Sequence, residues 1–221
     1  ISADVCIIGS GPAGMTLAIA LEGSGLSVAL LESGGLDRED SATDLNKGQV
    51  VGLDYWPLHV PRVRAFGGSS GAWVGWCRPL LPEVFEAWPL TYEELVPYYL
   101  RAHDTLEIGD FVYDAAAAAA SASFTVLPTD PSRVETVVYQ FSPPTRFGTR
   151  YRSFIEDAVD VTAYLHANAV DIDVTAGSVQ RVRVATLDGA ELTAVADRYV
   201  LATGGLENPR LLLASGVGDP A

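Results

Sequence analysis

The chain opens on an apolar run, Val5–Ile8, that gives way to glycines and then to small and apolar residues over Met15–Leu21. A second apolar run, Ser27–Leu31, follows and ends on Glu32. Short apolar runs bounded by turn residues read as strands buried on both faces, and the small-residue stretch between them reads as a helix. From residue 36 to 65 the pattern turns polar, then is dotted with Tyr55, Trp56, Pro57 and Pro61, which predicts a long excursion with little regular structure. The segment Phe66–Trp73, FGGSSGAW, is too glycine-rich for an ordinary helix or strand. Thr91 followed three residues later by Glu94 is a capping box, and it predicts a helix continuing to about Leu106.

Ala115–Ala120 is a run of alanines with no periodic face, read at most as a short helix and given no functional weight. A short helix is expected between Thr149 and Asp160, followed by alternating segments over Thr162–His166, Val170–Val174, Ser178–Thr186 and Glu191–Leu201. Asp188-Gly189 is a hairpin turn between the last two. Leu201–Gly205 ends a strand in glycines and leads into a helix with Pro209 in its first turn. The fold class that results is α/β, with a mixed β portion following the parallel unit.

The first strand, turn, helix and second strand contain GSGPAG, Gly9 to Gly14, with the acidic Glu32 placed 18 residues past Gly14. Gly9 permits the tight turn, Gly11 lets backbone approach a pyrophosphate, and Gly14 lets helix and strand pack closely. Phosphates would face unpaired N–H groups at the helix N-terminus, where the dipole favours an anion. Glu32 is placed to accept hydrogen bonds from ribose hydroxyls. The whole βαβ unit is in register, which reads as dinucleotide binding; a tight turn without a ligand would leave Glu32 without a role.

Composition narrows the partners. The formal net charge of −14 disfavours nucleic acid and anionic membranes. An anionic cofactor must therefore be held by backbone amides and a few local arginines. No apolar run approaches the length of a membrane span, and a cytoplasmic location is the expectation. Cys6 and Cys77 follow no metal or redox spacing, so no metal site is expected and Cys6 reads as a core residue.

Four segments together resemble the FAD-dependent glucose–methanol–choline (GMC) oxidoreductases: GSGPAG with Glu32, FGGSSGAWVGW, WPLTYEELVPYYLRA and LATGGLENPRLLLAS. The resemblance is nearest to the branch of pyranose oxidases and fructose- or gluconate-type dehydrogenases. It implies a Rossmann-like FAD-binding domain with a mixed β substrate domain that is incomplete in this chain. The domains would be 1–110, binding FAD; 111–160, part of a substrate or cap region; and 161–221, FAD-binding again.

By the same resemblance Gly9, Ser10, Gly11, Gly14 and Glu32 would hold the ADP half of FAD. Arg64, Gly67, Gly68, Ser69 and Ser70 would line the pyrophosphate and flavin side, with Trp73 beside the ring. Ala169-Val170 would contact adenine by backbone, and Ala202, Thr203 and Gly204 would close over the pyrophosphate. Some relatives carry a flavin-linking histidine where this chain has Ala72, so FAD is expected to be non-covalent. The family's catalytic histidine falls beyond Ala221, and a C-terminal portion of the same protein is expected to carry it.

Of the histidines present, His103 reads as a surface or capping residue, His166 as structural, and His59 as the one weak catalytic candidate. Trp88 reads as core, while Trp56, Trp73 and Trp76 are candidates for a sugar-facing wall. Arg146, Arg150 and Arg152 read as a solvated basic patch. The implied activity is hydride transfer from the CH–OH group of a sugar or other alcohol, by a protein that can oligomerise. The competing readings are an NAD(P)-linked dehydrogenase, an FAD-dependent hydroxylase and a catalytically inert FAD-binding fragment.

Overall fold

The structure is a computed structural model, and it describes residues 1–130 and 132–218. In chain order the first elements are β1 (Ser2–Ile8), α1 (Pro12–Leu21), β2 (Val28–Leu31) and α2 (Asp40–Asp44). A 3-10 turn, Gly68–Gly71, precedes β3 (Trp76–Cys77), and a second 3-10 segment, Pro82–Ala87, precedes α3 (Tyr92–Leu106), α4 (Ala115–Ala122) and β4 (Gln140–Phe141). Then come α5 (Phe147–Arg150), α6 (Arg152–Asp157), β5 (Val161–Tyr164), β6 (Asn168–Thr175), β7 (Ser178–Ala185), β8 (Glu191–Leu201) and α7 (Glu207–Ala214).

These elements group into two units: Ile1–Ala72 with Arg146–Ala221, and Trp73–Thr145. The boundaries differ from the 110/111 and 160/161 divisions expected from the sequence. Residues 73–110 pack with 111–145, because β3 pairs with β4 and the ring of His103 in α3 bonds to Gly109 and Tyr113. Residues 146–160 pack with the first unit, because α5 lies on the turn Gly68–Gly71 and α6 leads directly into β5.

In the first unit one sheet has the order β5-β2-β1-β8-β7-β6. The four strands β5, β2, β1 and β8 are parallel, and β8, β7 and β6 form an antiparallel meander. The long strand β8 belongs to both halves: Glu191–Ala194 pair with β7, and Val195–Leu201 pair with β1. Ile8 is level with Leu31 and Leu201, and Leu31 with Tyr164, so the four parallel strands finish at one edge. Every residue of β2 is buried, as a central parallel strand requires. Helix α1 covers it with Gly14, Met15 and Ala18. The second part of the core joins Cys6, Ile8, Ile172, Val182, Val184, Ala194 and Leu211, so α7 and the meander share one apolar layer. Burial pushes the Cys6 thiol up to about 11, consistent with an inert core residue.

In the second unit Thr91 and Glu94 form the reciprocal capping box at the start of α3. His103, expected at the surface or as a cap, is buried near the end of that helix; its Nδ1 lies 2.7 Å from the Gly109 carbonyl and its Nε2 3.0 Å from the Tyr113 hydroxyl. Aromatic contacts run from Trp88 through Phe85, Tyr92 and Tyr99 to Phe111. Trp88, expected in the core, is partly exposed at the end of this row, with only an edge against Phe85. The alanine run forms α4 because Asp114 accepts the Ala117 N–H at 2.8 Å. Among the described residues no helix is long and apolar enough to cross a membrane.

Ile7 is fully buried at the centre of the parallel strands. Ile7→Ala should lower the unfolding free energy by about 2–5 kcal/mol, measured by urea titration of the isolated chain.

Candidate functional site

The edge where the parallel strands end opens into a cleft of about 490 Å³, within the volume range of small-molecule sites. Its floor is made of strand ends and backbone turns rather than long side chains. The strand β1 hands over at Gly9, whose φ of +103° suits glycine and whose N–H donates to the Leu31 carbonyl at 2.8 Å. A Cβ on Gly9 would meet the Ala202 carbonyl oxygen at 2.7 Å. A Cβ on Gly14 would collide with the Gly9 carbonyl. Gly11 differs from both: its φ of −63° is open to any residue, and a Cβ there would meet only the Gly68 Cα, at 4.0 Å. It caps the N-terminus of α1 with open space in front of it. Backbone N–H groups and the positive end of the helix dipole are there with no side chain in the way, an arrangement that can receive an anion.

Glu32 stands where β2 ends, buried, with its donors already assembled. Its Oε2 accepts the Ser10 N–H at 3.1 Å and the Ser10 hydroxyl at 2.6 Å, and its Oε1 accepts the Gly34 N–H at 3.0 Å. Burial raises the Glu32 carboxyl above the ordinary glutamate value, a shift that the bonds from Ser10 and Gly34 and the charge of Arg64 only partly offset. The Ser10 hydroxyl also accepts the Gly67 N–H at 3.2 Å. Ser10 is fully buried and does not line the cleft, so its side chain is a strut between the two glycine-rich segments.

Those segments meet backbone to backbone. A Cβ on Gly68 would lie 2.8 Å from the Gly11 Cα, so the second segment needs glycine in order to touch the first. Ser70 is also buried: its hydroxyl donates to the Gly67 carbonyl at 2.7 Å and accepts the Phe147 N–H at 3.0 Å. Ser69 lines the cleft, and its hydroxyl accepts the Val63 N–H at 3.2 Å.

The far wall is polar and strongly charged. Arg64 donates from Nε to Asn46 Oδ1 at 2.7 Å and from Nη1 to Ser33 Oγ at 3.0 Å, and its Nη2 lies 2.8 Å from Glu207 Oε2. Thr203 is held by Asn208, whose Oδ1 accepts both the Thr203 N–H at 3.0 Å and the Thr203 hydroxyl. Ala202 donates its N–H to the Ile8 carbonyl at 2.8 Å, which continues the sheet into the loop.

The cleft thus brings together Gly9, Gly11, Glu32, Arg64, Gly68, Ser69, Ala202, Thr203 and Gly204. Gly14, Ser10, Gly67 and Ser70 lie behind this surface and hold it. Ala169 lines the cleft, whereas Val170 points to a separate groove with Arg181, Arg183 and Leu192, as strand alternation requires. Trp73 belongs to the second unit, where its indole N–H donates to the Thr145 carbonyl at 3.1 Å. Trp76, also in that unit, is exposed and packs its ring against Tyr139 and Phe141, and Trp56 of the first unit is exposed.

His59 does not line the cleft, and its carbonyl accepts a bond from Arg38 at 3.1 Å. His166 has a φ of +54° and sits 3.6 Å from Glu39. Arg146 is not part of a solvated basic patch: its guanidinium donates to the Ser70 carbonyl at 2.7 Å, because α5 packs on the glycine turn. Arg150 lies over the Tyr151 ring and Arg152 pairs with the exposed Glu156. Asn46, Asn208, Ser33 and Glu207 carry much of the wall, yet no motif spacing distinguishes them from ordinary loop and helix-start residues.

Residues 4–54 match the family described as FAD binding domain. Dehydrogenase mpl7 of Monascus purpureus and Dehydrogenase citC of Monascus ruber are each 30% identical over 128 residues, covering 46% of this chain and 20% of theirs. Pyridoxine 4-oxidase from Mesorbium loti superposes with a TM-score of 0.64 at 22% identity, covering 97% of this chain and 52% of that one. A formate oxidase of Aspergillus oryzae, described for modification of its FAD, superposes at 0.59 and 20% identity, with coverages of 98% and 48%. The chain therefore spans about half of these structures and a fifth of the curated dehydrogenases. The fold is that of an FAD-binding α/β domain, and the match over residues 4–54 supports FAD as the cofactor.

The glycine geometry separates binding from folding. Gly11→Val should leave the unfolding midpoint of the apoprotein close to wild type while abolishing FAD retention, whereas Gly14→Val should fail to fold; circular dichroism and flavin absorbance read the two effects. The raised Glu32 carboxyl gives a second test. A carboxyl whose folded-state pKa exceeds its unfolded value of about 4.3 destabilises the fold increasingly as pH rises through that interval. The stability advantage of wild-type apoprotein over Glu32→Ala should therefore narrow as pH climbs from about 4 toward neutrality, in urea titrations across pH.

Proposed function

We propose that the chain is the FAD-binding portion of a GMC-like oxidoreductase that oxidises a CH–OH group of a sugar or other alcohol. The observation that carries this reading is the direct seating of Gly68 on Gly11, which joins the second glycine-rich segment to the dinucleotide turn. A nicotinamide enzyme has no use for that second segment at this place. The pyranose oxidase and fructose–gluconate dehydrogenase branch is the finer assignment that we favour, on the GGLENPRLLL sequence leading into and through α7.

The bound flavin would supply the hydride acceptor, and the protein supplies orientation, charge and exclusion of water. In this reading the Gly9–Gly14 turn and the α1 N-terminus receive the pyrophosphate, Glu32 the ribose, and Arg64, Gly68, Ser69 and Thr203 the flavin side of the phosphates. The backbone at Val170 would meet the adenine. The flavin is held without a covalent bond, since Ala72 offers no nucleophile.

Neither carboxylate at the cleft is available as a base for the alcohol. Glu32 is engaged by Ser10 and Gly34, and Glu207 by arginines. Proton abstraction requires a base within hydrogen-bond reach of the hydroxyl. We assign that role to a residue beyond position 221, supplied by a further portion of the same protein, since His59, the one weak candidate within the chain, does not line the cleft.

Acid precipitation of the purified holoprotein should release FAD into the supernatant; flavin that remains in the pellet would contradict non-covalent attachment. Anaerobic mixing of the enzyme with a panel of sugars and alcohols should bleach the flavin absorbance. Bleaching by NADPH with no alcohol present would instead point to a hydroxylase.

A further inference from the structure

One carboxylate on the cleft wall does more than pair with one base. Glu207 Oε1 lies 2.8 Å from Arg62 Nη1, and its Oε2 lies 2.8 Å from Arg64 Nη2 and 2.6 Å from Arg210 Nε. Its side chain is only 13% exposed. Both arginines it bridges are otherwise fixed by neutral acceptors. Arg62 reaches the carbonyls of Leu58 at 2.9 Å and Asn46 at 2.6 Å, while Arg64 reaches Asn46 Oδ1 and Ser33 Oγ. A guanidinium has five N–H groups, so Arg64 keeps donor capacity for an anion after making these bonds. Burial would raise the Glu207 carboxyl, but the bonds from Arg210 and Arg62 and the charges of Arg64 and Arg210 outweigh it and hold the group below the ordinary value.

We infer that Glu207 is a positioning residue of the FAD site, holding Arg64 in one fixed arrangement at the cleft by bridging its guanidinium group to that of Arg62 behind it. The inference rests on the FAD reading of the cleft and goes beyond it, because it gives a positioning role to an acid that the reading left without one. Without the bridge, three arginines of like charge would face one another in a partly buried wall. They would separate, and the ordered donor set would be lost with them.

The sign of the effect distinguishes this from simple charge balance. FAD carries an anionic pyrophosphate, so removing a negative charge from the wall should tighten binding if long-range electrostatics alone decided it. Positioning predicts the reverse. Titration of apoprotein with FAD, followed by quenching of flavin fluorescence, should give a dissociation constant at least tenfold higher for Glu207→Gln than for wild type. Glu207→Asp keeps the charge but shortens the reach, and should fall between the two. Asp173→Asn removes a comparable charge from a surface pair with Arg181 and should leave the constant unchanged. Thermal unfolding of each apoprotein checks that the fold is retained; if Glu207→Gln does not fold, Glu207→Asp decides.

An unchanged or lower dissociation constant in a folded Glu207→Gln, or an Asp variant equal to wild type where Gln does not fold, overturns the inference and leaves the FAD site intact. Failure of wild type itself to bind FAD overturns the cofactor reading together with it.

Discussion

The buried chain of hydrogen bonds from Gly67 through Ser10 to Glu32 is the constraint on which the site depends. It ties the end of β2, the turn after β1 and the second glycine-rich segment into one body, although these come from distant parts of the chain. A buried carboxylate is costly unless its oxygens are engaged, and a buried N–H left unpaired costs roughly 1–3 kcal/mol. Each member of the chain therefore requires the next. Ser10 is decisive because one hydroxyl both donates to the carboxylate and accepts from the neighbouring backbone.

The parallel strands make this arrangement possible. Because β5, β2, β1 and β8 end level with one another, turns from four places in the sequence open on one edge. Strand β8 has the further task of coupling that edge to the antiparallel meander, whose inner face packs on α7. Helix α7 then delivers Glu207 and Asn208 to the wall from the same apolar layer that stabilises the meander. Folding energy from the core and the electrostatics of the cleft are thus linked through one helix.

Polar groups are distributed by the same logic. The floor offers backbone donors, which suit phosphate oxygens and cannot be mutated away, whereas charge is concentrated on the wall where arginines share a carboxylate. In a chain with a net charge of −14 this gathers positive charge at the cleft wall. It also explains why Arg146, near in sequence to Arg150 and Arg152, serves a different purpose. Its partner is the Ser70 carbonyl, so it braces the glycine turn.

The amino-acid sequence by itself determined the βαβ unit, the α/β class, the capping box of α3 and the Asp188-Gly189 turn, because each depends on neighbours within a few residues. It also determined where glycine stands in the two segments, but not for which physical reason. Gly68 reads from sequence as a residue close to the flavin, and only the tertiary structure shows that its missing Cβ makes room for the Gly11 backbone. The inward direction of the Ser10 and Ser70 hydroxyls, the buried His103, the placement of Trp88 at an exposed edge and the wall built from Asn46, Asn208 and Glu207 were likewise decided by the fold. These residues have common types and no characteristic spacing; what selects them is which strand end or helix start lies opposite, a long-range fact that local pattern does not carry.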